Sequence, residues 1–161
     1  MVLLSLAATV LSVSMHVVDN LPYYHHTKTE KDQISTTVTY RQEGNYLVNK
    51  ARTRSAYDEE NRLISRETER WNTSAKRWER RFKYVFSYTP DGYAIEFLTW
   101  NEHKKRYIPA QKAEYRGIRN HVVSIQNYEW NEKAHSFTAS GNPALVYQSA
   151  TLYAGINSLR L

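Results

Sequence analysis

Between Trp78 and Tyr88 the chain alternates. In "RWERRFKYVFSY", Trp78, Phe82, Tyr84, Phe86 and Tyr88 fall on one side and Arg77, Glu79, Arg81, Lys83 and Ser87 on the other. A period of two sustained over eleven residues predicts a half-buried β-strand. "TPDGY" follows, where Pro90 presets φ, Asp91 tolerates the left-handed region and Gly92 suits a positive φ; this is hairpin chemistry. "YAIEFLTW" then starts another strand, and "TTVTYR" alternates earlier, ahead of the turn-like "QEGN".

The alternation is organised into repeats. "WNTSAKRW" at Trp71–Trp78 recurs as "WNEHKKRY" at Trp100–Tyr107 and "WNEKAHSF" at Trp130–Phe137, with the Trp positions 29 and 30 residues apart. Between the copies lies a second recurring turn, preceded each time by tyrosine: "YDEENRLI" at Tyr57, "YTPDGYAI" at Tyr88 and "YRGIRNHVV" at Tyr115. Self-similarity at this period marks a repeat architecture. Each unit reads as two strands and two alternating turns. In the Trp-Asn turn the asparagine can bond its own backbone two residues on. The Lys or His before the second aromatic (Lys76, Lys105, His135) is expected to keep the loop soluble. The aromatic pair is expected to clamp the hairpin ends.

The expected fold is all-β: an antiparallel up-and-down meander of hairpin repeats with about eight or nine strands. A curled open sheet is favoured over a closed barrel. Closure would remove exposed edges, but Lys, Arg and Glu fill whole strand faces and leave little for a dense interior. Pro109, in "RYIPAQKAEY", fits an edge or a bulge. The tail "SGNPALVYQSATLYAGINSL" reads as turn, strand, turn and a last short strand.

Residues 1–15 hold an apolar, uncharged run, "MVLLSLAATVLSVS", followed by a polar stretch. The run is shorter than the roughly 20 residues a spanning helix needs, and it matches the apolar region of a signal peptide, although no Lys or Arg precedes it. The expected division is a signal peptide at 1–15, an N-terminal arm at 16–35, where no period is visible, and one β-repeat domain at 36–161. The mature protein is then expected to be exported, periplasmic or extracellular, without a transmembrane segment. No cysteine follows the run, so no lipid anchor is expected.

Composition adjusts this picture slightly. The 161 residues include 13 Tyr and 4 Trp, which suit a pleated, half-buried surface. The net charge of +6 is spread among acidic residues and selects no partner. The absence of cysteine excludes disulfides, thiolate metal sites and a Cys nucleophile.

The run "YDEENRLISRETERWNTSAKRWERRFKYVFSYTPDGYAIEFLTWN" resembles the uncharacterised secreted proteins of Bacteroides-type bacteria grouped as domain of unknown function 3836. It is similar, more loosely, to the tyrosine-aspartate hairpin repeats of large bacterial surface and toxin-shell proteins, although this chain is far too short to enclose anything. The likeness covers roughly residues 36–137. It implies export and an all-β repeat fold, and it brings no activity and no catalytic residues.

No enzyme signature emerges from the residues. His25 and His26 are adjacent, so on a strand they point to opposite faces; with His16, His103, His121 and His135 dispersed, no metal site is expected. Glu67 and Glu69 would share a face, as a carboxylate pair can in glycosidases. They stand among Arg66 and Arg70, where cross-strand ion pairing is the ordinary role. Neither a nucleophile elbow nor a phosphate-binding glycine loop occurs, and no cofactor is expected.

The expected role is therefore non-enzymatic: a binding or surface-interaction module for a glycan or a protein. Its expected contact residues are Trp71, Trp78, Trp100, Tyr107 and Trp130, with basic side chains nearby. Nucleic acid could use the same chemistry but ranks below for an exported protein. The alternatives are an envelope or assembly component acting by β-edge pairing and, last, an exported hydrolase using Glu67 or Glu69.

Overall fold

The computed structural model describes residues 12–18, 21–30, 33–118 and 122–147. They form eleven strand segments: β1 Ser12–Val18, β2 Leu21–Glu30, β3 Ile34–Glu43, β4 Tyr46–Tyr57, β5 Leu63–Asn72, β6 Arg77–Thr89, β7 Gly92–Asn101, β8 Arg106–Ile118, β9 Val122–Asn131, β10 Ser136–Ala139 and β11 Ala144–Tyr147. Strands β1 to β10 lie side by side in chain order in one sheet. The fold is an antiparallel meander, and the sheet is open: among the described residues no pairing joins its two ends.

Two regions differ from the alternation pattern. Strand β2 occupies half of the stretch read as an arm, and it pairs with β3 from Tyr23↔Arg41 to Glu30↔Ile34. One face carries Tyr23, His25, Thr27 and Thr29 and the other Tyr24, His26, Lys28 and Glu30, so both are polar and hydropathy gives no period. The last lane of the sheet is broken. Strands β10 and β11 both run antiparallel to β9, pairing at Ala139↔Tyr128 and Ala144↔Ile125. "SGNP" is therefore a detour within one lane and does not reverse the chain. Residues 1–11 of the expected signal peptide lie outside the described residues, as does the tail from 148.

The chain packs as two units, Met1–Lys83 and Tyr84–Leu161, divided within β6. In the first, β3, β4 and β5 register around Thr37↔Thr53 and Thr53↔Thr68. The turn after Tyr57 is closed by Asp58, whose Oδ1 accepts the backbone N–H of Glu60 at 3.0 Å and of Arg62 at 2.8 Å. Arg62 Nε adds a 2.7 Å ion pair to Oδ2. Partial burial pushes the Asp58 carboxyl up, and the Arg62 and Glu60 bonds outweigh it, holding it below its ordinary value. Ser55 is the buried residue here.

In the second unit, β7, β8 and β9 register through Tyr93↔Tyr115 and Tyr115↔Ile125. A shift between Phe97 and Leu98 leaves Ala110 unmatched and pairs Leu98 with Pro109. Pro109 thus sits at a bulge, as its missing N–H requires. Gly92 acts differently from the expectation. Its φ is outside the left-handed region, and glycine is needed there because an added Cβ would overlap the Tyr115 carbonyl oxygen. Ala94 is the buried residue. Among the described residues no large side chain is fully buried. Strand ladders and ring contacts on half-exposed faces therefore hold each unit.

The Trp-Asn turns have one geometry. Asn72 Oδ1 accepts the Ala75 N–H at 2.8 Å, Asn101 Oδ1 the Lys104 N–H at 2.8 Å, and Asn131 Oδ1 the Ala134 N–H at 3.0 Å. The fourth loop residue is left-handed each time: Lys76 at φ 50°, Lys105 at 49° and His135 at 49°. This position carries the loop's one unfavourable dihedral, which costs an L-residue roughly 1–2 kcal/mol. All three side chains are exposed. The aromatics behind each loop meet edge to face: Trp71 and Trp78 at 5.0 Å, Trp100 and Tyr107 at 5.1 Å, Trp130 and Phe137 at 5.1 Å. Such pairs add about 0.5–1.5 kcal/mol beyond their area. They are hairpin clamps.

Candidate functional site

Strands β6 to β9 of the second unit carry a groove of about 470 Å³ on one face. Register explains it. Three lateral rows cross this face: Tyr93, Tyr115 and Ile125; Ile95, Ala113 and Asn127; Phe97, Gln111 and Glu129. The middle row is low because Ala113 ends at Cβ, between Tyr115 and Gln111 two residues to either side. Large groups surround a small one, and the gap between them is the groove.

The floor and one wall are aromatic. Tyr84 and Phe97 lie 5.2 Å apart, tilted by 38°. Tyr93 stacks on Tyr115 at 4.6 Å with an interplanar angle of 11°, and Tyr88 extends the series at 6.5 Å from Tyr93. Burial pushes the Tyr93 phenol up, reinforced by Tyr115 and Tyr88. The other wall is polar: Gln111 and Asn127 carry amides, and Glu129 carries a carboxylate. Flat rings on one side and amide or carboxylate hydrogen-bonding groups on the other form an amphipathic slot.

The opposite face of the same strands is organised differently. Residues Trp100 on β7 and Trp130 on β9 stand on it, out of phase with Phe97 and Glu129. Lys112 Nζ lies 5.7 Å from the Tyr128 ring and 5.9 Å from the Phe137 ring. Lys112 also pairs with Glu114 at 2.8 Å, and Tyr128 Oη donates to Glu114 at 3.0 Å. The hydrogen bond from Lys112 leads in holding the Glu114 carboxyl below its ordinary value, against partial burial and aided by Tyr128. The same Glu114 bond raises the Tyr128 phenol. Lys104 and Glu132 join two successive Trp-Asn loops at 2.9 Å.

The residues expected to contact a ligand are thus hairpin clamps. Trp100, Tyr107 and Trp130 share a face of the second unit, away from the groove. Trp71 and Trp78 form their own pair in the first unit, where Arg52 lies over the Trp78 ring at 5.0 Å. All five are half-buried. Glu67 and Glu69 are ion-paired, Glu69 with Arg52 at 2.5 Å and Glu67 with Arg80 at 3.4 Å. Arg66 and Arg70, their neighbours in sequence, point to the other face and pair with neither. His25 Nδ1 lies 3.0 Å from Thr39 Oγ1. The groove's polar wall was missed because Gln111 lies on β8 while Asn127 and Glu129 lie on β9. The β8–β9 register, which sets Gln111 opposite Glu129 and Ala113 opposite Asn127, brings them together.

A family model described as "Family of unknown function (DUF3836)" matches residues 1–116. None of the curated proteins matches the sequence. Among solved structures, a protein of unknown function from Bacteroides fragilis is similar at 19% identity, covering 77% of this chain and 91% of its own, with a TM-score of 0.65. That likeness concerns the fold alone. A family protein from Bacteroides vulgatus is 23% identical over 62% of this chain and 90% of its own, with a TM-score of 0.46. One from Parabacteroides distasonis is 16% identical over 84% and 97%, with a TM-score of 0.41. The chain belongs to the DUF3836 family, whose function is unknown.

Proposed function

We propose that this chain is an exported, non-enzymatic binding module that holds a saccharide in the groove of its second unit. The observation carrying this reading is the Ala113 gap, with rings on one side and Gln111, Asn127 and Glu129 on the other. Pyranose rings present apolar C–H faces and equatorial hydroxyls. A slot with an aromatic wall and an amide wall matches both. Open aromatic concavities with a few convergent polar groups are ordinary ligand sites. Binding requires no chemical step, and the reading assigns none.

The test is a glycan array, with hits measured by isothermal titration. Ala113→Leu, which fills the gap, and Asn127→Ala, which removes a hydrogen-bonding amide, are each expected to weaken binding at least about tenfold while leaving the melting temperature within a few degrees. Binding that is indifferent to Ala113→Leu overturns the groove as the site. Fractionation of cells making the full chain tests export: a soluble periplasmic or extracellular product is expected, and a cytoplasmic one contradicts it.

A second reading, assembly through a sheet edge, rests on β11. Leu145 is 63% exposed and Val146 40% exposed on that short strand. It predicts self-association that Leu145→Lys abolishes in light scattering. A concentration-independent monomer removes it.

A further inference from the structure

The first unit presents a face of a different kind. Three lateral rows cross β2 to β5: Thr29, Ser35, Ser55 and Arg66; Thr27, Thr37, Thr53 and Thr68; His25, Thr39, Ala51 and Arg70. The register is unbroken across all three, so these side chains share one side of the sheet. The middle row is threonine throughout. Neighbouring strands place its hydroxyls about 4.7–4.9 Å apart in backbone spacing. Thr27 and Thr37 are in fact hydrogen-bonded at 2.8 Å.

The charges on these strands are segregated. No position in the three rows carries a carboxylate, and the one ring among them is the His25 imidazole. The carboxylates of β5, Glu67 and Glu69, face the other way, where they pair with Arg80 and Arg52. Arg66 and Arg70 are exposed, and neither forms an ion pair with a described residue. They stand four residues apart on one strand, about 13 Å at the usual rise, with Thr68 between them.

From this arrangement we infer that the hydroxyl-and-arginine face of the first unit binds a sulfated polysaccharide. The two guanidiniums supply forked donors for sulfate oxygens. The half-exposed hydroxyls of the threonine row supply donors and acceptors for sugar hydroxyls. Two neighbouring charge classes are disfavoured by the same residues. Single-stranded nucleic acid gains much of its affinity from base stacking on aromatic rings, and the three rows offer only the His25 imidazole, held 3.0 Å from the Thr39 hydroxyl. A regular crystalline lattice needs a flat array, whereas strands in a sheet rotate by roughly 20–25° from one to the next. A flexible polyanion follows such a twist. This site is separate from the saccharide groove and stands or falls apart from it.

Dextran sulfate and unmodified dextran, which share a backbone, serve as probes in titrations at low salt. The full chain is expected to bind dextran sulfate and not dextran, with affinity falling as salt rises. The double variant Arg66→Ser and Arg70→Ser is expected to lose about tenfold or more. Arg54→Ser removes one positive charge from the opposite face and is expected to have a much smaller effect than Arg66→Ser alone. Thr53→Val keeps the branched shape, deletes a hydroxyl of the middle row and is expected to weaken binding a few-fold. An unchanged double variant, an Arg54→Ser loss equal to that of Arg66→Ser, or tighter binding of a single-stranded oligonucleotide than of dextran sulfate would each overturn the inference. Circular dichroism melts confirm that each variant is folded.

Discussion

Residues before Lys83 and residues after Tyr84 are built with the same hairpin device and finished with different surfaces. Both units have a Trp-Asn loop with a bonded asparagine, a left-handed fourth residue and an edge-to-face ring pair. Yet β2–β5 carry rows of threonine and serine on one face, while β6–β9 carry stacked tyrosines around an alanine gap. The turns fix how strands follow one another and leave the faces free to vary. A face held by ring contacts and a face held by β-branched hydroxyl residues satisfy the same backbone ladder. They differ in what they can bind and in how much each side chain matters to stability.

Substitutions in matched positions separate these roles. The largest contrast is between two glycines. Gly92→Ala in the second unit drives a methyl into the Tyr115 carbonyl and is expected to cost about 2–3 kcal/mol in urea melts, the upper part of the range for overpacking. Gly44→Ala in the first meets no neighbour but takes a methyl to φ +59°, at a cost of about 1 kcal/mol. Equal effects would mean that close strand approach is not what Gly92 provides.

Next come the faces. Tyr115→Ser removes a ring stacked on Tyr93 and is expected to cost about 2 kcal/mol. Thr53→Ser in the threonine row is expected to change stability by no more than about 0.5 kcal/mol. The clamps should behave alike: Asn72→Ala and Asn101→Ala are each expected to cost about 1 kcal/mol, since each orphans one loop N–H. A large difference between them would break the shared-device account.

Alkali gives the smallest and most selective contrast. Burial raises the Tyr93 phenol above its ordinary value of 10.0. Its neutral form is thus favoured in the fold, and the stability it contributes is complete below about pH 10 and lost as pH rises through the higher folded value. Tyr128 is raised in the same sense. Both lie in the second unit. Hydrogen exchange above pH 10 is therefore expected to rise first at β7–β9, and Tyr93→Phe is expected to blunt that rise. Acid acts on both units, because Asp58 and Glu114 are both held low. Their contributions are present above the ordinary carboxylate range and are lost as pH falls through the folded values.

The fold was largely legible where the sequence is aromatic. "RWERRFKYVFSY" lies in β6, the three Trp-Asn motifs lie at hairpin ends, and Pro109 sits at a bulge. What escaped detection has specific causes. Strand β2 alternates His25, Thr27 and Thr29 with Tyr24, His26, Lys28 and Glu30, so polarity hides its period. "SGNP" has turn composition, but Ser140 N–H still bonds the Asn127 carbonyl at 2.8 Å and keeps the chain in its lane. The groove depends on Ala113, a residue that a search for conspicuous chemistry passes over. Tryptophan drew attention because it recurs, and its recurrence reports hairpin geometry.

Amide and indole N–H spectra, recorded while a saccharide identified on the array is titrated in, test the groove most directly. The account predicts shifts centred on Ala113, Gln111 and Asn127, with the indole signals of Trp100 and Trp130 nearly unmoved. Shifts centred on those two indoles, with Ala113 and Asn127 unchanged, would contradict it.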